Sequence, residues 1–275
     1  MPLKTARLAF VPIMAVLSLL PAAWVVSTSL KTPGTEFLKP VSWLPRPASL
    51  ESYRTVLGPE FAFDRAILNS LIVAITVTAL TLLLGGLSAF AISRLRFRHG
   101  VRSLRLILFA GLVPPVAVIA PTFVLVRALG LLGTLPGIIL PHLAYSIPIS
   151  TWLLTVYFAG LPRDLDDAAR LDGYTPPQIF WRILLPLVRP AMFATGALAF
   201  LGSWGEFMAA FTLSLGRPEA QTVPVAILGM SQAFQLQWTW VAAGVGLSFL
   251  PVVGVTLIAH RWIVDGLTVG ALEEQ

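Results

Sequence analysis

The sequence has no cysteine. That removes disulfides, cysteine-ligated zinc and thiol catalysis together, and leaves the redox compartment unread. Lysine is nearly absent: Lys4, Lys31 and Lys39 are the only three in 275 residues. None of them completes a Gly-x-x-x-x-Gly-Lys-Ser/Thr loop, so the chain has no phosphate cradle of that kind for ATP. The Gly-x-Ser-x-Gly nucleophile elbow is missing too. His99, His142 and His260 stand in three separate places, with no His-Glu-x-x-His or comparable metal spacing. Nothing here supports an enzyme, a metal site or a cofactor bound by this chain. Charge is also scarce, at 12% of residues against about 25% in an average soluble domain.

What replaces charge is apolar surface: 56% of residues, with a mean hydropathy of +0.83. That composition belongs to a polytopic membrane protein. About twenty apolar residues in succession are needed to cross a bilayer, and six segments qualify. They are roughly Leu8–Leu30, Ala66–Ser93, Leu104–Val126, Gly137–Ala159, Met192–Leu215 and Trp238–Trp262. The first resembles a signal peptide in having Lys4 and Arg7 before it, but its apolar run is longer than a signal's core, so a retained anchor is expected. The expected fold is therefore all-α, a single membrane domain of six transmembrane helices over residues 1–275.

Six spans put both termini on one side. Lys4, Arg7, Arg94, Arg96, Arg98, Arg102, Arg105, Arg163, Arg170, Arg182, Arg189 and Arg261 all fall on that side, twelve of the nineteen basic residues. Such a face is the cytoplasmic one. The sequence pI of about 10.3 is thus read as membrane orientation rather than as a nucleic-acid footprint. On the other face, residues 31–64 balance four basic against four acidic residues. This stretch, rich in proline and aromatics, is expected to form an external cap with a short helix opening near Ser49. Pro114-Pro115 is expected either to kink its helix or to bend it around a cavity. Gly85-Gly86, Gly244 and Gly246 allow close helix contact. For His142 a hydrogen-bonded packing role is expected.

One charged, amphipathic passage interrupts the second half, Pro162 to Pro190. It holds Asp164, Asp166, Asp167 and Asp172 together with four arginines. Two short helices are expected in it. The first runs from about Arg163 to Leu171 and stops at Gly173. The second starts with Thr175 as N-cap, Pro176 at the first helical position and Gln178 closing a capping box, and ends near Pro186.

The wording Asp167-Ala168-Ala169-Arg170-Leu171-Asp172-Gly173, followed by Ile183-Leu184-Leu185-Pro186 and Pro190, resembles the EAA loop of permease subunits of bacterial ABC importers. It is most similar to the carbohydrate-uptake, maltose-type branch of binding-protein-dependent transport. Asn69-Ser70-Leu71, the stretch Gly130 to Leu140, and the tail Val264 to Ala271 resemble the same family. Asp167 stands where Glu is usual, and Tyr174 where a small residue is common.

The resemblance implies a type I importer permease with a cytoplasmic coupling helix seated in an ATPase subunit. Asp166, Asp167, Ala168, Ala169, Arg170, Asp172 and Gly173 would carry that coupling. Ala168 and Ala169 would offer a flat surface, Gly173 a sharp turn, and Asp166 or Asp167 a helical-spacing pair with Arg170. The partners implied are a second homologous permease, an ATPase dimer that brings ATP and Mg, and an extracytoplasmic substrate-binding protein, all at the bacterial inner membrane. Ser203-Trp204-Gly205-Glu206-Phe207 resembles a segment of the family's fifth span, with Gly205 in place of Asn. Glu206, the one acidic residue expected inside a span, is a candidate for the substrate pathway, with Trp204 as a stacking platform, or else a carboxylate hydrogen-bonded to a partner subunit near the cavity. The alternative class is a stand-alone secondary transporter or channel, which would call for paired intramembrane charges or an inverted repeat.

Overall fold

Long apolar runs in a bilayer must satisfy their own backbone, and helices do so within the segment. The computed structural model describes residues 2–36, 40, 42–95, 99–232 and 236–269, and no strand occurs among them. The helices are α1 (Pro2–Ser29), α2 (Glu51–Leu57), α3 (Phe63–Arg94), α4 (Gly100–Gly111), α5 (Pro115–Ala128), α6 (Leu135–Gly160), α7 (Asp164–Leu171) and α8 (Pro176–Gln178). A π-helical turn, Ile179–Leu184, leads into α9 (Leu185–Leu187). Then follow α10 (Arg189–Trp204), α11 (Met208–Leu213), α12 (Val223–Ser231) and α13 (Trp238–Val269). Among the described residues four helices, α1, α3, α6 and α13, are long and apolar enough to cross a membrane, or up to six if each of two bent pairs is one span.

One bent pair bears out the bend expected at Pro114-Pro115 in the third span, and the other corrects the start of the fifth. The third is no straight rod: α4 and α5 meet at 89°, because Pro114 is extended (φ −58°, ψ 131°) and Pro115 opens the second helix. A residue before proline is pushed away from the helical region, and proline itself suits a helix start. The fifth also starts earlier and stops earlier than its apolar run. α10 ends at Trp204, Gly205 to Phe207 break it, and α11 resumes at Met208. The final helix runs on to Val269, past the expected end at Trp262. Residues 270–275, the close of the expected cytoplasmic tail, lie outside the described residues.

The chain divides into two compact units. One comprises Met1–Ile67 and Val223–Pro251. Within it the expected cap is tied to the end of α1. Ser49 N donates to Leu30 O at 2.8 Å, and the Ser29 and Tyr53 hydroxyls lie 2.8 Å apart. Ser49 Oγ accepts from Glu51 N at 3.1 Å, which starts α2 where the sequence places it. Gly246 matters here because a Cβ would sit 3.1 Å from Tyr53 Oη. Along α1, Phe10, Ile13, Val16, Leu17 and Leu19 are exposed, a surface only lipid or another subunit can cover.

The other unit is Leu68–Thr222 with Val252–Gln275. α6 is its axis and is packed by α4, α10 and α11. A helix apolar on every side is one meant for burial, and Ile138, Thr151, Leu154 and Phe158 are wholly covered. Thr134 caps α6 by accepting from Gly137 N at 3.3 Å. Asn69, in the first resembling stretch, is buried and donates through Nδ2 to both Glu219 O and Gln221 O at 2.9 Å.

Candidate functional site

The charged passage folds as a helix pair whose turn is dictated by one glycine. α7 ends in a Schellman motif: Gly173 N donates to Arg170 O and Tyr174 N to Ala169 O, both at 3.0 Å. Gly173 takes φ +83°, a left-handed conformation that glycine adopts without a Cβ penalty. α8 opens with the expected capping box, Thr175 N donating to Gln178 Oε1 at 2.8 Å. Removing the Thr175 hydroxyl as alanine should cost about 1 kcal/mol; a thermal-shift measurement on the purified complex would show it.

The second helix ends beside Pro186 as expected, at Leu187, but the proline ring is accommodated within it rather than breaking it. The backbone widens into a π turn, with Leu185 N donating to Phe180 O five residues back. The wider turn relieves the clash a proline ring makes with the carbonyl four residues earlier. The helix therefore continues to Leu187, and the direction changes at Val188, where α10 departs at 83°.

What holds the pair in place is hydrophobic and ionic together. Phe180 packs between Phe90 of α3 and Phe158 of α6, with centroid separations of 5.2 and 5.9 Å. Ile179, Leu184 and Ala169 join the same buried cluster. Arg94, at the end of α3, donates to Asp166 Oδ2 at 2.8 Å and to Leu161 O at 2.7 Å. Its side chain is 1% exposed and that of Asp166 9%. Arg163 adds a bond to Ser93 O at 3.3 Å. The loop is thus fastened to the ends of two long helices.

Two expectations for this loop are corrected. Asp166 does not pair with Arg170 along α7, nor does Asp167; Asp166 turns inward to Arg94, since a buried guanidinium needs a carboxylate more than an exposed one does. Ala168 and Ala169 do not share a face. Ala169 is 3% exposed and belongs to the core, while Ala168 points outward with Asp167, Arg170 and Asp172. Sequence reasoning missed Leu171, which is 90% exposed. A leucine between Arg170 and Asp172 reads as the last apolar position of an amphipathic helix, yet it is left bare.

A second polar cluster lies at the break after α10. Glu206 is not inside a helix, as expected, but between two. Its carboxylate accepts from Ala209 N at 2.8 Å and Ala210 N at 3.1 Å, capping α11 at the helix end that favours negative charge. His142 Nε2 lies 3.0 Å from Glu206 Oε2, and His142 Nδ1 lies 2.8 Å from Ser203 Oγ. The expected packing role of His142 has this network as its content. These groups border a cavity of about 330 Å³ between α6 and α10. Trp204 is not on it: the indole is 5% exposed and stacks on Phe200 at 5.9 Å and 11°, so it offers the cavity no platform.

A membrane-helix bundle with a bolted, half-bare loop defines a permease-like chain, and comparison with known proteins gives the family. Residues 81–269 match the family described as binding-protein-dependent transport system inner membrane component. The chain is 34% identical to the sulfoquinovosyl glycerol transport system permease protein of Agrobacterium fabrum, over 98% of this chain and 94% of that protein. It is 33% identical to the trehalose/maltose transport system permease protein of Thermococcus litoralis, over 95% and 94%. The trehalose transport system permease protein of Mycobacterium tuberculosis is 32% identical over 93% of each. In fold, the chain matches a bacterial ABC transporter involved in the import of the acidic polysaccharide alginate, with a TM-score of 0.79 over 94% of this chain and 95% of that one, at 22% identity. The chain belongs to the family of binding-protein-dependent transport system inner membrane components. It is a transport permease subunit of the ABC-importer kind.

Proposed function

We propose that this permease is one of two in an ATP-driven importer, forming half of the pathway for a sugar or sugar-containing solute. Full-length relatives named for sulfoquinovosyl glycerol, trehalose and trehalose/maltose transport support the solute class. An extracytoplasmic binding protein delivers the solute, in keeping with the family's description. A second homologous permease completes the pathway. ATP and Mg are held by a partner ATPase dimer, since this chain carries no phosphate loop. Both termini and the Asp164–Leu187 loop face the cytoplasm, as the arginine distribution favours.

The carrying observation is the division of that loop into a fastened face and a bare one. Asp166, Ala169 and Phe180 anchor it to α3 and α6, while Asp167, Ala168, Arg170, Leu171, Asp172 and the turn at Gly173 are left for the ATPase. A lever must be stiff toward what it moves and complementary to what moves it. Closure of the ATPase dimer would displace the loop, and α3 and α6 with it, so that the pathway changes the side to which it opens; such a two-state element requires contacts that differ between the states. Leu171→Ser is expected to weaken ATPase binding about tenfold, the loss of one buried leucine, in a co-purification titration of the membrane complex. Unchanged affinity would remove Leu171 from the interface.

A further inference from the structure

Two loops of the second unit, residues 127–134 and 214–222, are joined into one platform. Gly133 N donates to Leu213 O at 2.8 Å, tying the turn after α5 to the end of α11. Gly130, Gly133 and Gly216 hold φ of +70°, +72° and +73°, a conformation that costs glycine little. The first turn is closed further by Thr134 Oγ1, which donates to Leu131 O at 2.7 Å. The second is pinned from α3 by the two bonds of Asn69. Gly133 has a further use. A Cβ there would lie 2.4 Å from Arg217 Cγ and 3.1 Å from Arg217 Cβ, so the missing side chain is the seat for the arginine stem.

Arg217 is exposed, and no carboxylate among the described residues forms an ion pair with it. Arg127, in the last turn of α5, is exposed and unpaired in the same way. Glu219 is the sole acidic residue on the two loops, so the platform is net positive. Leu129 and Leu215 beside the arginines are 55% and 57% exposed. Arginine on a fixed backbone with bare apolar neighbours is the composition of a protein-docking patch. α6 starts at this platform and ends at the Asp164–Leu187 loop, about 39 Å away along a helix of that length. We infer that Arg217, seated on Gly133, is a docking residue for a surface carboxylate of the extracytoplasmic binding protein. The inference rests on the importer reading, which puts this end of α6 outside, and adds the residue and the charge that recognise the partner. A guanidinium grips a carboxylate through two parallel bonds. Because the stem is already placed, little side-chain freedom is lost on docking. An anionic lipid headgroup would need no such seat, since it adapts to any surface arginine.

The test titrates the solute-loaded binding protein of the same importer onto the complete complex in nanodiscs and follows ATP hydrolysis. Arg217→Met keeps a stem on Gly133 and removes the charge. It is expected to raise the half-saturating concentration of binding protein about tenfold, with the maximal rate unchanged. Arg217→Glu sets like charges against each other and should raise it about a hundredfold. Exchanging one surface carboxylate of the binding protein for arginine should then restore docking. Added salt should weaken docking to the unaltered complex more than to Arg217→Met. An unshifted titration in Arg217→Glu, or a lowered maximal rate at unshifted half-saturation, would overturn the inference. So would a shift seen in phosphatidylglycerol nanodiscs and lost in phosphatidylcholine ones, which would give the cation to lipid. Failure of the binding protein to stimulate the unaltered complex would instead strike the importer reading itself, so the two failures are distinguishable.

Discussion

Asp166→Ala is expected to destabilise the loop by about 3–5 kcal/mol, the usual consequence of leaving a buried charge without its partner. The stranded group is Arg94, whose side chain is 1% exposed and whose Nε has no hydrogen-bond partner among the described residues. Arg94→Ala should cost a comparable amount for the converse reason, and it also releases the Leu161 and Pro162 carbonyls that Arg94 holds. The readout is twofold: a lowered unfolding midpoint of the solubilised permease, and loss of uptake at normal membrane abundance. Combining Asp166→Leu with Arg94→Met should recover much of the stability, because two apolar groups of similar volume strand no charge. A double-mutant cycle then isolates the coupling of the pair. Additive effects of the two single changes would mean that the ion pair is not what fastens the loop.

That pair also marks how far the sequence could be read. The existence of the loop, the stop at Gly173 and the start at Thr175 were legible because they are local: a glycine, a cap and a proline each act within one helical turn. The membrane spans were legible by apolar length alone. The bend at Pro114-Pro115 was legible from its prolines, but the break at 205–207 was not, because neither hydropathy nor a proline marks it. Asp166 was seen as one of four loop carboxylates, and Arg94 as one of the arginines that set orientation. Nothing in a linear pattern joins residues 72 positions apart. The same holds for His142 and Glu206, separated by 64. An intramembrane carboxylate could be flagged as costly, but which group answers it is a matter of packing. Ile179, Phe180 and Leu184 lie in a passage legible only as amphipathic, and the structure makes them the seat on which the loop rests.

Gly173→Val should abolish coupling without removing the protein from the membrane. The space is open, since a Cβ at this position would meet nothing of this chain within 4 Å, so any effect within the permease comes from the backbone. At φ +83° an L-residue is disfavoured by roughly 1–2 kcal/mol, and a β-branched one is a genuine outlier there. Relieving that strain means opening the Schellman turn, which releases the Tyr174 N–H from Ala169 O and unseats Tyr174 from the edge of the phenylalanine cluster. The α7 end, with Leu171 upon it, then loses its fixed direction relative to α8. Uptake should fall to background while ATPase subunits still hydrolyse ATP at their unstimulated rate. Gly173→Asn is the control that separates conformation from side-chain loss, because asparagine is among the few residues that visit the left-handed region readily. It should retain most uptake. Solute-stimulated ATP hydrolysis at the normal level in Gly173→Val would show that a rigid turn is not required, and the lever reading of this loop would have to be given up.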